Sequence, residues 1–108
     1  MDSFTVHQGD RREPITRTLM DSTGAAINLT GCTVKFRLKK KRGSGGAFKV
    51  DTAATIVNAP GTDGLVRYNW AAIDVDTPGS YRGWFEVTFA DATKQTFPNE
   101  GHILVMVT

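Results

Sequence analysis

Residues 19–36 read Leu19-Met20-Asp21-Ser22-Thr23-Gly24-Ala25-Ala26-Ile27-Asn28-Leu29-Thr30-Gly31-Cys32-Thr33-Val34-Lys35-Phe36. A strand runs into a turn at Gly24, and an Ile27–Gly31 corner feeds the next strand. From Val34 the period is two: Val34, Phe36 and Leu38 alternate with Lys35, Arg37 and Lys39. That is a strand with one face buried and one wet. Such a strand belongs to a β-sandwich.

Outward from this stretch, further strands are predicted at Phe4–Gln8, Ile15–Met20, Ala54–Asn58, Leu65–Ala71, Ser80–Ala90 and His102–Val107, with this one spanning Thr33–Lys39. Turn formers separate them, among them Gly9-Asp10, Asn58-Ala59-Pro60-Gly61 and Thr77-Pro78-Gly79. About seven short strands in one chain of this size is the pattern of an immunoglobulin-like antiparallel sandwich. No stretch keeps a helical period, and at most one helical turn fits near Ala71–Asp74. Alternation makes Tyr81, Gly83, Phe85, Val87 and Phe89 the core face of the longest strand, with Arg82, Trp84, Glu86 and Thr88 opposite. Val66, Tyr68 and Trp70 form the inward set of their strand. The last strand is apolar on both faces, Ile103, Val105 and Val107 against Leu104 and Met106, so it is either central in its sheet or covered by another subunit.

The 108 residues make a single domain, 1–108, large enough for one core. A hydrophobic fraction of 40% and a charged fraction of 22% are globular values that argue against disorder. Thirteen basic against eleven acidic residues leave a net charge of +2, too mild to predict nucleic-acid binding. The single cysteine, Cys32, excludes an internal disulfide, so packing must join the two sheets. The chain opens directly into alternation at Phe4, with no signal-like segment and no membrane-length apolar run. Asn28-Leu29-Thr30 matches a glycosylation acceptor that, without a secretory route, has no use.

The pattern Leu19-x-Asp21-x-x-Gly24 followed by Leu29-Thr30-Gly31-x-x-Val34-x-Phe36 resembles the N-terminal domain of phage baseplate upper proteins. Gly64-Leu65-Val66-Arg67-Tyr68 is similar to that family's post-turn strand. Asp76-Thr77-Pro78-Gly79-Ser80-Tyr81 followed by Trp84-Phe85-Glu86-Val87 resembles its long strand after a Gly-Tyr corner. The likeness spans about Phe4 to Val107. It implies a virion structural module of the tail or baseplate region, made in the host bacterial cytoplasm and present in many symmetric copies beside other phage structural proteins. In that family the domain opens a longer protein that continues toward the host-facing apparatus. Here the sequence stops at Thr108, directly after a strand, which leaves the general role of an assembly module as the expectation.

Catalysis needs convergent groups, and few are visible. His7 and His102 stand near opposite termini and read as exposed or edge-strand side chains; Cys32 has no Cys-x-x-Cys partner. Asp74-Val75-Asp76 has the spacing of two calcium-ligating carboxylates, but no third ligand follows, and a solvated turn with Asp76 accepting a backbone hydrogen bond near Thr77-Pro78-Gly79 accounts for it. Gly43-Ser44-Gly45-Gly46 lacks the Lys-Ser/Thr pair of a phosphate loop. The expectation is therefore no catalytic residue, no metal and no cofactor. Arg11 and Arg12, before Pro14 at the next strand's start, offer only exposed ion pairs.

An interface is expected instead. Trp84 beside Arg82 is the residue pair of binding hot spots, unless a loop folds over that face and makes Trp84 a satellite-core residue; Leu104 and Met106 are the outward apolar face of the last strand. The run Lys39-Lys40-Lys41-Arg42, entering a glycine-rich loop, meets an acidic neighbour in an assembly, contacts nucleic acid electrostatically, or, in the preferred reading, simply solvates a loop. Two other binding roles suit the same sandwich: a capsid decoration protein clamped to the outside of the shell, and a carbohydrate-binding module. The latter requires two or more coplanar exposed aromatics, of which only Trp84 is evident.

Overall fold

The alternate apolar residues Val34, Phe36 and Leu38 need a covered face, and two facing sheets supply it. A computed structural model of the protein describes residues 3–40, 48–97 and 102–108. Among these, nine strands form: β1 Ser3–Val6, β2 Ile15–Thr18, β3 Thr33–Lys40, β4 Phe48–Ala53, β5 Thr55–Ile56, β6 Leu65–Tyr68, β7 Gly79–Thr88, β8 Lys94–Phe97 and β9 Ile103–Val107. The large sheet has the order β1-β9-β7-β3-β4, with β8 also on β7; the small sheet is β2-β6-β5. All pairs are antiparallel except β1 with β9, which run parallel from Ser3↔Leu104 to Val6↔Val107. The fold is an all-β, immunoglobulin-like sandwich, two strands richer than the predicted seven. The predicted helical turn is a 3-10 turn over Ala72–Val75.

Two strands escaped the periodicity. β4 follows the Gly43–Gly46 stretch and bears a single fully buried residue, Val50. Its register on β3 shifts between Leu38 and Lys39, so that Leu38 faces Val50 while Lys39 faces Phe48. This bulge breaks the alternation that would have placed Phe48 and Val50 on one side. β8 shares one edge of β7 with β9: Phe85 pairs with Phe97 and Gly83 with Ile103, so two steps along β7 match six along its partner. The predicted single last strand is the second half of this interrupted edge. Because β9 lies between β7 and β1, its two apolar faces belong to an interior strand of the sheet rather than to an edge.

Packing replaces a disulfide through aromatic rings. Phe36 of β3, fully buried, stacks on Tyr68 of β6 at 4.8 Å and 21°, and meets Trp70 edge-on at 5.6 Å and 87°. Phe85, its cross-strand partner on β7, lies 5.0 Å away. Gly83 makes room: a Cβ there would come within 3.2 Å of Phe36 Cζ. Cys32 is a half-buried free thiol. The predicted inward sets are all buried, with Phe89 partly so.

At the corner before β7, the Tyr81 hydroxyl donates to the Thr77 carbonyl at 2.7 Å, the tie that immunoglobulin-like sandwiches use to brace this turn. Asn28 Oδ1 accepts from Thr30 N and Thr30 Oγ1, setting the Ile27–Gly31 corner whose Leu29 is fully buried. Leu29 rests on Gly61, at φ +98°, where a Cβ would come within 2.8 Å of the leucine's own.

The Asp74-Val75-Asp76 turn is not solvated at its first carboxylate, contrary to expectation. Asp74 is 3% exposed; its Oδ2 accepts from the Tyr68 hydroxyl and from Ala71 N at 2.8 Å. Asp76 is exposed and accepts from Lys49 Nζ at 2.8 Å and Thr77 Oγ1 at 3.0 Å, so side chains take the role expected of a backbone donor. Among the described residues no three His, Cys, Asp or Glu side chains gather as metal ligands.

Burial first, then the hydrogen bond and negative charge of Asp74, push the Tyr68 pKa well above its ordinary value of 10.0. The folded state thus holds this proton more tightly than the unfolded chain does. The stability it contributes is complete below about pH 10 and is lost as pH rises toward the folded value. Tyr68→Phe leaves the buried Asp74 oxygen one donor short, so urea melts at pH 7 should show a loss of about 1–3 kcal/mol. The same variant should flatten, without abolishing, the alkaline decline, because burial also raises the Tyr81 pKa.

Candidate functional site

Alternation on β3, β7 and β9 turns every second side chain away from the small sheet. On this outer face the pairing sets neighbours directly: Arg37 opposite Trp84, Lys39 opposite Arg82, Arg82 opposite Leu104, and Ser80 opposite Met106. Of the residues expected at an interface, Arg82, Trp84, Leu104, Met106 and Lys39 are thereby brought onto one continuous surface. Trp84, Leu104, Met106 and Lys39 are half-buried, and Arg82 is exposed. Lys40 is exposed at the end of β3, opposite Tyr81; Lys41 and Arg42 lie outside the described residues.

Two residues of this surface were missed. Phe48, 38% exposed, is turned outward beside the bulge, with its ring edge-on to Trp84 at 6.5 Å and 81°. His102, expected as an exposed or edge-strand side chain, lies half-buried just before β9 with its ring 6.2 Å from Trp84. The aromatic at Phe48 was readable, but its direction depends on a register shift that has no local sequence signal. His7 is exposed as expected, its Nδ1 2.9 Å from Thr108 Oγ1.

Charges at the centre of the face are matched. Arg37 lays its guanidinium 4.1 Å from the Phe48 centroid, places Nη1 3.2 Å from Glu86 Oε2 and Nε 3.4 Å from Asp51 Oδ1. Lys35 adds a longer contact to Asp51 at 3.8 Å. The half-buried Arg37–Glu86 pair (side chains 29% and 15% exposed) is screened less than a surface pair, and it fixes the planar cation over the ring. Ser80 Oγ donates to Met106 Sδ at 3.2 Å, which holds that flexible side chain against the sheet. The face therefore has an apolar row of Phe48, Trp84, Leu104 and Met106 in a preset geometry. With Phe48 and Trp84 nearly perpendicular, these two rings make no coplanar platform for a sugar.

Elsewhere, a cleft of about 340 Å³ opens between β2 and the β8–β9 edge, floored by Phe85, Phe97 and Ile103. Its one carboxylate, Asp21, is turned to local use: Oδ1 accepts from Thr23 N, Thr23 Oγ1 and Ala25 N, and these bonds, the Thr23 hydroxyl first, hold its pKa below the ordinary value. A second cleft of about 600 Å³ lies under the β1–β2 loop, among Phe4, Val6, His7 and Pro14. Neither brings a hydrogen-bonded histidine–carboxylate or cysteine–histidine pair together among the described residues. No protein-family model and no curated protein matches this chain.

The two tryptophans separate the core from the face. Trp70 is 4% exposed and Trp84 half-buried. Iodide quenching of the native protein should resolve one accessible and one inaccessible emitter, and Trp84→Phe should remove the accessible one while the urea midpoint moves little.

Proposed function

We propose that this chain is a non-catalytic structural module of a bacteriophage particle, in the tail or baseplate region, and that it joins its neighbours through the outer face of its large sheet. The observation that carries this is the set Phe48, Trp84, Leu104 and Met106: four apolar side chains from strands β4, β7 and β9 that share the face the fold's own second sheet does not cover. Water-facing sheet surfaces are normally polar, and a contiguous apolar row is the usual mark of a docking surface. Trp84 and Arg82 add the residue types that dominate binding energy. The phage context comes from the sequence resemblance in the Leu19–Phe36 segment and at Asp76–Val87.

Docking of this kind is geometric. The braced β3–β7 centre presents the face as a rigid surface, so little ordering entropy opposes association. In a symmetric particle each copy repeats the same contact, and modest affinity per contact accumulates.

The test is co-sedimentation of the purified protein with headless tails and with preformed empty shells. Binding to tails is expected, and Met106→Asp and Trp84→Ala, each still folded by circular dichroism, should lower it by about tenfold or more, equivalent to about 1.4 kcal/mol. Unchanged binding of both variants would remove the face from the assembly. Binding to shells alone would make the chain a capsid decoration protein.

A further inference from the structure

The row of the outer face next to Arg37, where Lys39 of β3 pairs with Arg82 of β7, is cationic in a way the Arg37 row is not. Asp51 and Glu86, the acidic residues in contact there, are both engaged by Arg37, with Lys35 also on Asp51. Arg82, exposed between Lys39 and Leu104, has no ion pair among the described residues. Lys39, its cross-strand neighbour, lies with Nζ 5.8 Å from the Phe48 ring and likewise has none. Two like charges stand side by side against an apolar row, a pairing that costs free energy in the isolated chain. A partner carboxylate placed between Arg82 and Lys39 would relieve that repulsion and be desolvated by Trp84, Phe48 and Leu104, where its attraction is strongest.

We infer that this face receives a protein surface carrying carboxylates beside an aromatic or aliphatic side chain, and not the same face of a second copy. This rests on the assembly role only in taking the face as an interface. Face-to-face pairing of two copies would set Arg82 and Lys39 of one chain over a surface whose two carboxylates are already taken by Arg37, so repulsion disfavours it. The contact is therefore heterologous, face to a different surface, the class that builds rings and rows rather than closed pairs. Acidic side chains supply the orientation and on-rate, and the apolar row supplies the lifetime.

The experiment is a nitrogen-15 NMR titration of the folded protein with a random glutamate–tyrosine copolymer, with polylysine, and with duplex DNA, at about 50 and 500 mM salt. The glutamate–tyrosine copolymer should shift the amides of Arg82, Leu104 and Met106 and the Trp84 indole N–H, more weakly at high salt, and polylysine should not. Arg82→Glu should weaken that binding about tenfold, whereas Arg11→Glu, an equal charge change in the β1–β2 loop, should leave it unaltered.

The inference is overturned by no binding of the copolymer, by shifts located elsewhere, by equal binding by Arg82→Glu, or by DNA bound as tightly through the same residues. Concentration-dependent shifts confined to these residues in the protein alone, with no second surface moving, would overturn it as well, in favour of a face-to-face dimer. If Met106→Asp abolishes tail binding while the copolymer fails to bind, the face is an interface for a partner without carboxylates. If the copolymer binds as expected while Met106→Asp still joins tails normally, the assembly role of the face fails and the partner chemistry stands.

Discussion

Phe36 is the side chain on which the two sheets meet. It enters from the interior strand β3 of the large sheet, stacks on Tyr68 from the small one, and touches Trp70 two residues beyond β6. Each such ring pair contributes about 0.5–1.5 kcal/mol beyond the area it buries. Two cross-sheet pairs together therefore approach the about 2–4 kcal/mol of a typical disulfide. The residue whose Cβ would displace the Phe36 ring, Gly83, has none, and Tyr81 two positions earlier is anchored to Thr77. Ring, glycine and hydroxyl form one arrangement: the corner positions β7, β7 leaves a gap, and Phe36 fills it. Asp74 extends it by holding the far end of the Tyr68 ring.

Most of this was legible from residue order alone where burial and period two coincide. Val66, Tyr68 and Trp70 alternate cleanly because their strand has one wet side, and the same holds for Tyr81 through Val87. Legibility failed where the backbone departs from regular pairing. β4 pairs through a bulge and buries one residue, so neither the strand nor the outward direction of Phe48 shows in the residue pattern. β8 is short, polar and mostly exposed, with only Phe97 fully buried, so it carries almost no alternation. Asp74 was assigned to solvent because carboxylates usually are; its partner hydroxyl, six residues away on Tyr68, becomes visible only once the 3-10 turn folds back. For the interface, residue type identified Trp84 and Arg82, while the matching of Glu86 and Asp51 to Arg37 required three strands in register.

That matching divides the outer face into two regimes. Arg37 is locked by two carboxylates and a ring, so it behaves as part of the scaffold. Arg82 and Lys39 remain charged groups without ionic counterparts among the described residues, and they face solvent along the apolar row. The scaffold cation keeps its row rigid at little net charge, and the cations of the adjacent row give the surface its sign.

The parallel pairing of β1 with β9 has a mechanical consequence. Since both strands run the same way, Ser3 and Thr108 lie at opposite ends of that ladder, from Ser3↔Leu104 to Val6↔Val107. A tension applied through the two ends of the chain would load all of these hydrogen bonds at once in shear, rather than peel them one by one. Rupture would then require the whole ladder to slip together while Val6, Val105 and Val107 leave the core. A pull applied between Ser3 and Thr108 would therefore meet little yielding before the ladder gives way as a unit.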